Sequence, residues 1–83
     1  MPQWFYRVEE FHTILGEADE DDEVGSVAKT KERLLPLLEK PPFLGLRAST
    51  LVAIREATTF HTFNRALDQV YDYADQQRIW LGI

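Results

Sequence analysis

"TFHTFNRALDQVYDYADQQ", Thr59 to Gln77, repeats its apolar residues at helical intervals. Phe60, Phe63, Leu67, Val70 and Ala74 follow one another at spacings of 3, 4, 3 and 4, the signature of one buried stripe on an α-helix. Thr59 is placed to cap its first turn. At ~100° per residue, His61, Asn64, Arg65, Asp68, Asp72 and Asp75 gather on the opposite side. The spacing therefore predicts a long amphipathic helix ending near Gln77, and the fold is built outward from it.

After this helix, "RIWLGI" is a short apolar run that reads as a strand. At the other end, "QWFYRVEEFHTIL" supports two periods. Trp4, Tyr6 and Val8 alternate with Arg7 and Glu9, whereas Trp4, Val8, Phe11 and Leu15 form a helical stripe. The clustered aromatics favour a strand over 3–8, with a helical turn over 9–15. Trp4 and Trp80 are the two tryptophans, and each lies in a terminal segment. Pairing head and tail as strands beneath the long helix is the simplest way to bury both.

Between these ends, Ser26 is a candidate N-cap for "VAKTKERLLPLLEK". Val27, Lys31, Leu34 and Leu38 share one face of that helix. Pro36 should kink or break it near Leu35, and Pro41-Pro42 stops it. Ser49 or Thr50 is placed to cap a short helix over 50–57, although "TLVAI" is also strand-like. The expected fold is a small, mainly helical α+β single domain over 1–83, with short terminal strands packed on a long C-terminal helix. If 43–48 and 50–56 were strands, the alternative would be a ferredoxin-like βαββαβ sheet. There is no internal repeat and no linker.

Eight of the fourteen acidic residues lie between Glu9 and Gly25, with no Lys or Arg among them. The rest of the chain holds nine basic residues against six acidic ones, so a basic body carries one acidic segment within a net charge of −5. Its densest part is "GEADEDDEVG", residues 16–25, which reads as a mobile loop because like charges repel and glycines flank it. As an EF-hand it fails in both registers. Starting at Asp19 puts Val24 at position 6 and Thr30 at position 12; starting at Glu20 puts Val24 at position 5 and Lys31 at position 12. Lys29, Lys31 and Arg33 on the following helix could neutralise the loop instead.

Other chemistry finds little support. Asp68, Asp72, Asp75 and His61 could serve a metal or an acid–base pair, but Arg65 with Asp68 and Asp75 with Arg78 read as ordinary i, i+3 ion pairs. Ser26 and Ser49 lack an activating base. The four glycines are dispersed, so no phosphate cradle forms. Cysteine is absent, which excludes disulfides, thiolate catalysis and Cys-ligated zinc. "ASTLVAIREATTFHTFNRALDQ", residues 48–69, could form two helices of a helix-turn-helix regulator with Arg47, Arg55 and Arg65 near one surface, but the second helix carries three aspartates, and the net charge opposes nucleic-acid binding. No apolar run approaches the ~20 residues of a membrane span, and the start lacks the basic region of a signal peptide. A cytoplasmic location is expected.

The reading that remains is a non-enzymatic, cofactor-free and metal-free protein-binding module: an inhibitor, adaptor or regulatory subunit, conceivable for a nucleic-acid-processing machine. Glu17, Asp19, Glu20, Asp21, Asp22 and Glu23 would contact a basic surface on the partner, steering association. Tyr73, Tyr6 and Phe43 are candidate exposed anchors, while Tyr71 belongs to the core with its hydroxyl at the rim.

Overall fold

The computed structural model describes residues 4–82, in the order β1 (Tyr6–Arg7), α1 (Glu9–Gly16), α2 (Glu23–Leu38), α3 (Ala48–Glu56), α4 (Phe60–Gln76) and β2 (Ile79–Trp80). It is a mainly helical α+β architecture. The long helix α4 forms as its periodicity predicts: Phe63, Leu67, Val70 and Ala74 are buried, with Phe60 half-buried at its start. Thr59 caps it through a reciprocal box. The Thr62 N–H donates to the Thr59 hydroxyl at 3.1 Å, and the Thr59 N–H donates to the Thr62 hydroxyl at 3.2 Å, so two free donors of the first turn are satisfied.

Arg78 ends the helix by adopting a left-handed backbone, φ 58°, which reverses the chain and sends β2 back against α4. Head and tail then meet as a parallel pair, with Tyr6 opposite Ile79 and Arg7 opposite Trp80. The Val8 N–H donates to the Trp80 carbonyl at 2.7 Å, and the Arg78 carbonyl accepts from Phe5 at 2.8 Å. Pairing does not bury both indoles as expected: Trp80 is half-buried, but Trp4 stays 39% exposed. Ile79 and Leu81 supply the buried contacts of the tail instead.

Helix α2 begins earlier than Ser26. Asp22 is its N-cap, accepting from the Gly25 N–H at 3.1 Å, so Ser26 lies inside the first turns and the acidic loop shrinks to 17–22. Pro36 does not break the helix, which runs to Leu38. Pro36 stands in the last turn, so only the Glu32 carbonyl loses its partner, and both residues are exposed to solvent that can take it up. Val27, Leu34 and Leu38 are buried on one face with Lys31 half-buried among them, as the stripe predicts.

Residues 50–56 are helical, which overturns the ferredoxin-like alternative. The β-branched "TLVAI" is overridden by packing: Thr50, Ile54 and Ala57 fall at i, i+4 and i+7 and are all buried, whereas Val52 between them is exposed. Neither Ser49 nor Thr50 caps α3; Arg47 does so with its backbone, accepting from the Thr50 N–H at 3.0 Å. The Thr50 hydroxyl instead donates to the Gln69 Oε1 at 2.6 Å, tying α3 to α4. Phe11, Leu34, Leu38, Phe43, Ile54 and Ile79 are fully buried and belong to one core cluster drawing on all four helices. No helix among the described residues is long and apolar enough to cross a membrane.

Candidate functional site: an acidic turn and an aromatic depression

The acidic segment is held by hydrogen bonds rather than left loose. The Ser26 hydroxyl clasps Asp19 at both ends of its peptide, donating to the carbonyl and accepting from the N–H, each at 2.8 Å. The Asp19 carboxylate accepts from the Asp21 N–H at 2.9 Å, an Asx turn. Asp22 caps α2, and its carboxylate occupies the space where a Cβ on residue 25 would stand, so a larger residue there would displace the capping side chain. Glu17 pairs with Arg33. The expected loop over 16–25 is shortened at both ends by helices, and three of the six carboxylates are committed to local structure.

The other three, on Glu20, Asp21 and Glu23, are exposed, and none pairs with a described cation within 4.0 Å. Asp22 and Glu23 also sit at the positive end of the α2 dipole, where anions are favoured. Of the three basic residues expected to neutralise the segment, only Arg33 does so. The Lys31 ammonium crosses to α3 and donates to the Arg55 and Ala57 carbonyls at 2.7 and 2.6 Å.

Two of the expected aromatic anchors are engaged internally. Phe43 is buried, 1% exposed. Tyr73 is half-buried; its hydroxyl accepts from the Gly45 N–H at 3.1 Å and donates to the Pro42 carbonyl at 3.3 Å. It fastens the 42–45 turn to α4. Tyr6 is exposed, as expected. Tyr71 packs edge-on against Phe11, with ring centroids 5.7 Å apart. Burial, and secondarily the Asp68 carboxylate, push its phenol above its ordinary range. On the polar face of α4, His61, Arg65, Asp68, Asp72 and Asp75 are all exposed. The expected Arg65–Asp68 and Asp75–Arg78 pairs do not form within 4.0 Å; Arg78 has already left the helix. No group of three or more His, Asp or Glu among the described residues is arranged to hold a metal ion.

Sequence reasoning missed a second feature. Where the tail folds back on α4, Trp4, Tyr71 and Trp80 share a depression of 340 Å³ with Asp72, Asp75 and the apolar Ala74, Ile79 and Leu81. The Arg7 guanidinium lies 4.4 Å from the Trp80 ring centroid and 3.6 Å from the Glu9 carboxylate. The two indoles were already matched by the head-to-tail pairing. Their meeting with Asp72 and Asp75 depends on the left-handed turn at Arg78, which local periodicity does not reveal. No family model, no curated protein and no solved structure matches the chain, so the reading of its function rests on this geometry.

Proposed function

We propose that the chain is a non-enzymatic protein-binding module whose acidic turn meets a basic surface on another protein, as in an inhibitor, adaptor or regulatory subunit. One observation carries the reading. Glu20 and Asp21 project from a turn that Ser26, Asp19 and Asp22 already hold in shape, and Glu23 opens the helix that follows it. A preorganised turn loses little entropy on docking, and clustered unpaired carboxylates raise the rate of encounter with a basic partner. Glu17, Asp19 and Asp22 act mainly as supports.

The test is affinity capture from the native cell, followed by association kinetics with the partner so identified. Glu20→Gln, Asp21→Asn and Glu23→Gln together should slow association and flatten its salt dependence while leaving the fold intact. Capture and kinetics unaffected by the triple substitution would remove the turn from the interface.

A helix-turn-helix reading has one observation in its favour: α3 and α4 pack together across a connection of residues 57–59. Against it, Arg55 is held by Glu39 at 3.0 Å, and the exposed face of α4 carries Asp68, Asp72 and Asp75. Duplex DNA binding lost on Arg47→Ala or Arg65→Ala would favour this alternative.

A further inference from the structure

We propose that the depression between Trp4, Tyr71 and Trp80 is a receptor for one arginine side chain of the basic partner. The inference rests on the preceding reading only in taking that partner to be a basic protein; the pocket's chemistry stands by itself. Aromatic faces attract cations through their quadrupoles, and attraction rises as water is excluded. Here three aromatic rings are combined with two carboxylates, Asp72 and Asp75, around 340 Å³ of space. Neither carboxylate pairs with a described cation within 4.0 Å, so the site carries negative charge beside its rings.

Guanidinium is the cation that fits this combination best. It is planar and weakly hydrated, so it stacks on indole, and its fork of donors matches a carboxylate. The chain supplies its own precedent, since the Arg7 guanidinium already lies 4.4 Å from the Trp80 ring centroid. Arg7 is balanced by Glu9 at 3.6 Å, which moderates its repulsion of a second cation. The acidic turn would thus steer the partner, and this pocket would anchor it. Such a division follows from the weak affinity that exposed charges provide alone.

The test uses the whole protein and the peptide acetyl-Gly-Arg-Gly-amide. Both tryptophans of the chain line the pocket, so their indole Nε1–H resonances report binding directly. Saturable shifts of both resonances are expected with the arginine peptide. The matched citrulline peptide, equal in shape but neutral, should give none, and the lysine peptide should bind more weakly. Asp72→Asn with Asp75→Asn should weaken arginine binding about tenfold, with circular dichroism unchanged because both side chains are exposed. Equal response to citrulline, equal or tighter binding of lysine, no saturable shift, or an unaltered affinity in the double variant would each overturn the proposal. Glu20→Gln, Asp21→Asn and Glu23→Gln should leave the peptide titration unchanged. Failure here with salt-dependent docking intact would therefore be distinguishable from failure of the acidic-turn reading.

Discussion

Lys31, on α2, closes the C-terminal end of α3: its ammonium lies 2.6 Å from the Ala57 carbonyl oxygen, and 2.7 Å from that of Arg55. Carbonyls at a helix end have no partner within the helix and carry the negative end of its dipole. A cation in the middle of an apolar stripe is thereby explained, because its half-buried stem lies on the face of Val27 and Leu34 while its head reaches the neighbouring helix. Lys31→Met, which keeps the stem and removes the charge, should cost about 1–2 kcal/mol. Thermal unfolding should then fall by about 5–15 °C. An unchanged midpoint would mean that solvent satisfies these carbonyls equally well.

The acidic segment should divide sharply between supports and free charges. Ser26→Ala removes both hydrogen bonds to Asp19 and should cost about 1–2 kcal/mol; Asp22→Ala removes the cap of α2 and should cost about 1 kcal/mol. Asp21→Asn should stay within about 0.5 kcal/mol. Denaturant midpoints of the three variants check this, and equal effects at all three positions would contradict the hydrogen-bonded turn.

Arg78 is the one described non-glycine residue with a positive φ, a conformation that costs an L-residue about 1 kcal/mol or more. Its backbone carbonyl, not its side chain, accepts from Phe5 and Tyr6. Arg78→Gly should keep the strand pairing and raise stability by about 0.5–1 kcal/mol. A destabilised variant would show that the arginine side chain holds something the backbone alone does not.

The Tyr71 phenol should titrate above the ordinary tyrosine range, because burial first and Asp68 second oppose its ionisation. The unfolded phenol loses its proton near pH 10 while the folded one keeps it. The associated stability is therefore complete below about pH 10 and is lost as pH rises through the folded value. Ultraviolet titration of wild type and Tyr71→Phe should identify the late phase, and Asp68→Asn should move it downward. An ordinary titration for the phase that Tyr71→Phe removes would contradict the burial of this ring.

The long helix was legible because its stripe, its cap at Thr59 and its polar face all agree, a consistency across levels that leaves few alternatives. The terminal strands were legible from their apolar and aromatic composition, although the pairing leaves Trp4 exposed. The start of α2 was not, since Asp19, Asp21, Asp22 and Ser26 are all residue types able to cap. The bond from the Gly25 N–H to Asp22 and the clasp of Ser26 on Asp19 separate them. Nor was the fate of Tyr73, whose partners Pro42 and Gly45 lie about thirty residues earlier. Likewise, the aromatic depression joins residues from the head, α4 and the tail, so no local pattern contains it.

Glu20, Asp21 and Glu23 are proposed to steer the module onto a basic partner. The most direct test is the association rate with the captured partner, measured across a salt series for wild type and for E20Q/D21N/E23Q. The wild-type rate should fall steeply with salt, and the variant rate should be slower and nearly flat. Identical rates and identical salt slopes for the two proteins would contradict the proposal.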